Sequence, residues 1–146
     1  MLSHAFLESP QALDAFVAAW ESCTLPKSEW THAAHVAVCA YHAARSPATV
    51  LETMRDGIRR FNDAVGTPNT DSSGYHETLT RFWCMVILEA ITGIADPWRA
   101  ACVAVERFGE RRDLHRSFYS FDVVRSVEAR RAWIAPDLTA RGVSAP

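Results

Sequence analysis

The feature that most constrains the fold is a helix-start signal that occurs three times: a capping side chain followed at once by proline. The three pairs are Ser9-Pro10, Ser46-Pro47 and Asp96-Pro97. A Ser or Asp oxygen accepts a hydrogen bond from a free amide at a helix N-terminus, and a proline at the next position has no amide hydrogen to leave unsatisfied. Since no alternating run of β-branched residues competes with this signal, the sequence predicts an all-α fold.

Apolar periodicity indicates a single-domain bundle of about five main helices. They are expected over 10 to about 23, 32 to about 45, 47 to about 65, 75 to about 94 and 97 to about 108, with short helical pieces between 113 and 133. The fourth helix is apolar on most sides after Arg81 and is therefore expected at the centre of the bundle. Residues 1–138 are predicted to form one helical domain, followed by a tail at 139–146.

Composition and charge exclude several classes of protein. The chain has 15 Lys and Arg against 17 Asp and Glu, so the basic excess of a nucleic-acid-binding protein is absent. The longest apolar stretch, 82–88, is too short to cross a membrane, and no secretion signal is recognised. Four widely spaced cysteines without a CxxC pair predict free thiols in a reducing cytoplasm. We expect a cytoplasmic protein without nucleic-acid or membrane partners; a homodimer is left open.

The chemistry-bearing residues are concentrated on one stripe of the second helix. His32, His35, Cys39 and His42 are spaced by 3, 4 and 3 residues, and two imidazoles one turn apart can converge on one metal ion. A metal site needs at least a third ligand, which we expect from His76 at the start of the fourth helix. The predicted cofactor is therefore one divalent transition metal, Zn or Fe, held by His32, His35 and His76.

Further site residues are predicted around the start of the fourth helix. Glu77 and His76 are the candidates for acid–base catalysis, although Glu77 can instead pair with Arg81 one turn later. Within the polar loop at 66–74, residues 69–73 are expected to shape access to the site together with Tyr75. The predicted ligand-binding residues are Trp30, Asn69, Tyr75 and Thr80.

At these positions the sequence resembles a family of short, uncharacterised bacterial helical proteins. The shared segments are aromatic-Thr-His-x-x-His at 30–35, Gly-Tyr-His-Glu-Thr-x-Thr at 74–80, and approximately Ala-Arg-x-x-aromatic-x-x-Pro-Asp-Leu at 129–138. The resemblance covers most of the chain, which implies one domain. It implies where a site lies and assigns it no reaction.

Three functions are compatible with these patterns. The first is a small enzyme, with a metal at the three histidines, that acts on a small molecule. The second is a metal-free site in which His76 and Glu77 act as acid and base, or bind an acidic or polar ligand. The third is a helical interaction module without chemistry, in which the histidines hydrogen-bond across a helix pair and set its register.

Overall fold

The computed structural model describes residues 4–138 and confirms the all-α fold. Within that range there are six α-helices and no β-strand. The helices are α1 (Pro10–Glu21), α2 (His32–Arg45), α3 (Val50–Val65), α4 (Glu77–Ala90), α5 (Pro97–Phe108) and α6 (Val127–Arg131). Short 3-10 helices occur at Ala5–Leu7, Lys27–Glu29 and Leu114–Ser117. The predicted tail at 139–146 lies outside the described residues.

Local capping starts three helices where the sequence predicts. Ser9, Thr31 and Asp96 each accept a hydrogen bond from the backbone amide three residues later. The Ser46-Pro47 pair behaves differently, because the Ser46 amide still donates to the carbonyl of His42 and so ends α2. Residues 47–49 form a turn, and α3 begins only at Val50. The predicted start of the third helix at 47 was therefore wrong by three residues.

The most buried helix is α2, and the expectation that the fourth helix would be central is wrong. Nine residues of α2 are buried, against five in α4. Five of the nine are alanines, which let neighbouring helices approach the α2 backbone closely. Alanine contributes little to an apolar pattern, so the sequence does not reveal how deeply α2 lies.

The segment after α6 returns across α4 and completes the fold. The hydroxyl of Thr78 in α4 donates to the carbonyl of Ala132 at 2.8 Å and accepts from the amide of Ile134 at 3.0 Å. The carboxylate of Asp137 accepts from the amide of Ser120 at 2.9 Å. These contacts hold the C-terminal segment beside the start of α4. Among the described residues, no helix has the length and apolarity needed to cross a membrane.

Candidate functional site

Two histidines lie at the start of α2, as the sequence predicts. The Nε2 of His32 lies 3.0 Å from the carbonyl of Phe108, and because a carbonyl only accepts, this nitrogen carries the proton. The His35 ring lies against the Trp30 ring with centroids 3.8 Å apart. The two imidazoles are thus held by α5 on one side and by an aromatic surface on the other.

The turn before α4 depends on Gly74. Its φ is +76°, and a Cβ at this position would lie 2.4 Å from the carbonyl oxygen of Pro68. The guanidinium of Arg130 donates to the carbonyl of Gly74 at 2.8 Å. A residue without a side chain is therefore required for the chain to enter α4 at Tyr75 and His76.

His76 is the N-cap of α4, and both of its ring nitrogens are used within the protein. Nδ1 accepts from the amide of Leu79 at 3.1 Å, and Nε2 lies 2.8 Å from the carbonyl of Val123. The carbonyl requires a proton on Nε2, so Nδ1 supplies the only lone pair and gives it to the helix amide. This arrangement explains His76 as a structural residue and leaves no nitrogen lone pair for a metal.

The two predicted histidine segments meet at one cavity of about 530 Å³. It lies between α2, α3, α4 and the 3-10 helix Leu114–Ser117, and much of its wall is apolar. The apolar part includes Val36, Met54, Ile58, Phe61, Leu79, Trp83 and Ile87. Imidazoles line the same space, from His32, His35, His76 and His115. A largely apolar cavity with a few polar groups is typical of a small-molecule site.

His115 is a cavity residue that the sequence did not single out. It is 7% exposed, and its Nδ1 is buried without a hydrogen-bond partner among the described residues. An unsatisfied buried nitrogen costs about 1–3 kcal/mol, so a partner at this position would stabilise the protein. His115 lies among arginines and acidic residues that are typical of a solvated surface, and no local pattern marks it.

The cavity histidines are held in the neutral form. Burial lowers the pKa of His32, His76 and His115 below the usual value. Burial, the neighbouring His32 and the charge of Arg112 together lower the pKa of His35 to about 3. Neutral imidazoles offer one N–H donor and one acceptor each at pH 7.

The residues that line the cavity include two exposed cationic side chains. Lys27 and Arg112 both line the cavity and are both exposed. Among the described residues, no Asp or Glu lines it. The charge on the lining is therefore positive, and an anionic group is the one that it attracts.

Glu77 does not line the cavity, although its neighbours Tyr75 and His76 do. Its carboxylate accepts hydrogen bonds from Nε and Nη2 of Arg55, at 3.0 and 2.7 Å, and from the hydroxyl of Tyr75 at 2.6 Å. The hydrogen bonds from Arg55 hold the pKa of Glu77 below its usual value. An ionised carboxylate engaged by three donors is a weak base, which disfavours the predicted catalytic role. The alternative pairing with Arg81 is also not observed, because the Arg81 guanidinium lies over the Trp133 ring.

The predicted ligand-binding residues separate into two groups. Trp30, Tyr75 and Thr80 line the cavity, whereas Asn69 does not. The Asn69 side chain instead holds the 66–74 loop together: its Oδ1 accepts from the Tyr75 amide at 2.9 Å, and its Nδ2 donates to Asp63 at 3.1 Å. Asn69 therefore positions the loop and does not face a ligand.

The predicted metal site does not fit this geometry. No group of three or more His, Cys, Asp or Glu side chains within 4–138 is arranged to hold a metal ion. The physical obstacle is His76, whose two nitrogens are hydrogen-bonded to Leu79 and Val123. His32 and His35 share the cavity with His76, but the three do not present three free lone pairs to one point.

Comparison with known proteins identifies no relative: no family model matches the chain, and no curated protein or solved structure is similar to it.

Proposed function

We propose that this protein binds a small, largely apolar molecule with an anionic group in the cavity between α2, α3 and α4. The observation that carries the proposal is the pairing of an apolar wall with two exposed cations and no carboxylate among the described residues that line the cavity. The body of the ligand would contact side chains such as Phe61 and Trp83. The anionic group would lie near Lys27 and Arg112.

The size of the cavity supports a ligand of this kind. Ligand cavities of about 300–1,000 Å³ hold most small organic molecules and cofactors, and this one measures about 530 Å³. A guanidinium forms paired hydrogen bonds with a carboxylate and is therefore the best anion partner on the lining.

A matched pair of probes tests the charge preference. Naphthalene-1-carboxylate and naphthalene-1-carboxamide have the same ring and nearly the same size but differ in charge. Binding is followed through tryptophan emission, since Trp30 and Trp83 line the cavity. We expect the carboxylate to bind about tenfold more tightly, which corresponds to one charge-assisted hydrogen bond of about 1.4 kcal/mol.

Variants locate the anion contact. Arg112→Gln and Lys27→Gln should weaken carboxylate binding and leave carboxamide binding unchanged. Arg116→Gln makes the same charge change at an exposed arginine outside the cavity lining and should affect neither. Equal affinity for the two probes, or equal loss in all three variants, contradicts the anion preference; no saturable binding of either probe contradicts the proposal as a whole.

A second candidate is an enzyme that transfers a proton to or from the bound molecule. It is favoured by one observation, the buried Nδ1 of His115, which faces no protein partner among the described residues. The test is to incubate bound ligand in deuterated water and follow exchange at its carbon-bound hydrogens by mass spectrometry. Exchange that His115→Asn abolishes without weakening binding would support this candidate, and its absence from the wild-type protein would leave binding as the function.

A further inference from the structure

Two buried thiols face each other across the α2–α4 interface. The Sγ atoms of Cys39 and Cys84 lie 3.8 Å apart, and both residues are 3% exposed. Neither is in a disulfide, and the other two cysteines, Cys23 and Cys102, are only partly buried. The pair is therefore distinguished from the other cysteines by both its contact and its depth.

The distance is close to that needed for a covalent bond. A disulfide has its sulfur atoms about 2.05 Å apart, so the two Sγ atoms have to approach each other by about 2 Å. Rotation about the Cα–Cβ bonds moves sulfur atoms by distances of this order. Both side chains also line the cavity, which gives a small molecule a route to thiols that are otherwise enclosed.

From this contact we infer that Cys39 and Cys84 are an oxidation site, which hydrogen peroxide entering the cavity converts to an intramolecular disulfide. One thiolate attacks the peroxide, which breaks the O–O bond and gives a sulfenic acid and one water. The second thiol attacks that sulfur, the S–S bond forms, and a second water leaves. Two thiols are thus oxidised by two electrons, and one hydrogen peroxide is reduced to two waters.

The bond would join α2, which carries His32 and His35, to α4, which follows His76. It closes a loop between residues 39 and 84 and therefore restricts the unfolded chain. The oxidised protein should have a higher Tm than the reduced protein.

Contact with Cys84, followed by burial, raises the pKa of Cys39, so the thiolate is scarce and the reaction should accelerate as the pH rises.

Trypsin cleaves after arginine and lysine, and the positions of these residues allow the paired cysteines to be identified from their peptides. Trypsin places the four cysteines on four separate peptides, 1–27, 28–45, 82–99 and 100–107. Native protein is treated with hydrogen peroxide, the remaining thiols are blocked, and the digest is analysed by mass spectrometry without reduction. We expect a linked 28–45/82–99 species that has lost two hydrogen atoms and separates on addition of dithiothreitol.

Variants and an unfolded control complete the test. Cys23→Ser/Cys102→Ser should retain the linked species, and adding Cys39→Ser should abolish it. In urea the same treatment should form it much more slowly, because the contact is lost. The inference is overturned by linkage of 28–45 or 82–99 to a different cysteine peptide, by separate oxidation of the two thiols, or by two unreacted thiols in the wild-type chain. The linked peptides are detected in the wild-type protein without any substitution, so a variant that fails to fold does not weaken the test.

Discussion

Thr78 shows how much a single hydroxyl contributes to the site. Its side chain has no exposed surface and bonds to both Ala132 and Ile134. The C-terminal segment that it holds runs beside α4, close to the turn at Gly74. Loss of the hydroxyl would remove two hydrogen bonds, one to the carbonyl of the exposed Ala132 and one from the amide of the partly buried Ile134.

Replacement of Thr78 by valine keeps the shape of the side chain and removes only the hydroxyl. We expect the free energy of unfolding to fall by about 1–2 kcal/mol, because two hydrogen bonds to partly solvated backbone groups are lost. Urea denaturation measures the change. The control is Thr92→Val, at an exposed threonine whose hydroxyl donates to Glu89, where a change within about 0.5 kcal/mol is expected. Equal losses in the two variants would contradict the role given to Thr78.

Residues whose partners are near in sequence could be predicted, and residues with distant partners could not. Thr31 caps α2 as its position suggests, because a cap contacts the amide three residues later. His76 was correctly placed at the start of α4, but its Nε2 bonds to Val123, which is 47 residues away. That long-range bond places the proton on Nε2 and leaves Nδ1 as the acceptor for the Leu79 amide, so neither nitrogen is free for a metal. Nothing in the local sequence reveals this bond.

Between elements, the contact of Arg55 with Glu77 joins α3 to α4. The sequence suggested a pairing within α4 with Arg81, since charges one turn apart often interact. Arg55 pairs with Glu77 instead, because its guanidinium reaches both carboxylate oxygens of Glu77. The side chains are 30% and 13% exposed, so solvent screens this pair less than one on the open surface.

A double-mutant cycle with Arg55→Met and Glu77→Gln measures the coupling. We expect about 1 kcal/mol, the value for a well-oriented, partly buried pair after allowance for solvent screening. The pair of Arg131 and Asp71 is matched in chemistry but more exposed and should show smaller coupling.

Ligand binding should survive Glu77→Gln, since Glu77 does not line the cavity. Loss of carboxylate-probe binding in a folded Glu77→Gln protein would restore Glu77 as a site residue.

The helices themselves were largely predictable, because each depends on periodicity and local caps. The depth of each helix in the bundle could not be predicted. The most buried helix is α2, and many of its buried residues are alanines, which contribute little to an apolar pattern. The cavity was also unpredictable in detail. Its lining comes from α2, α3, α4 and the 112–115 region, and His115 and Arg112 join it only through tertiary packing.

For the whole molecule, the neutral buried histidines predict sensitivity to acid. Burial lowers the pKa of His35 to about 3 in the folded protein, against an ordinary value of 6.5 for histidine. Below pH 6.5 the unfolded chain therefore binds a proton that the folded protein does not, and the stability is lost as the pH falls towards 3. The contribution of His35 alone is about 2 kcal/mol between pH 6.5 and 5.

Unfolding by urea at several pH values between 7 and 4 measures this effect. Wild-type protein should lose stability steadily over that range, and His35→Gln, which cannot be protonated, should show a shallower slope. The comparison of slopes is unaffected by a constant loss of stability in the variant. Identical slopes for the two proteins would contradict the lowered pKa, because His35 would then bind its proton equally in the folded and unfolded states.

The most direct test of the proposed cavity is the imidazole ¹⁵N spectrum, recorded while naphthalene-1-carboxylate is added. The chain has six histidines, and His4 and His42 do not line this cavity. We predict shifts at His32, His35 and His115, with His4 and His42 unmoved. His76 should keep its Nε2–H form throughout, because both of its nitrogens are hydrogen-bonded within the protein. Shifts confined to His4 and His42, or loss of the Nε2–H form of His76, would contradict a ligand cavity built around a structural His76.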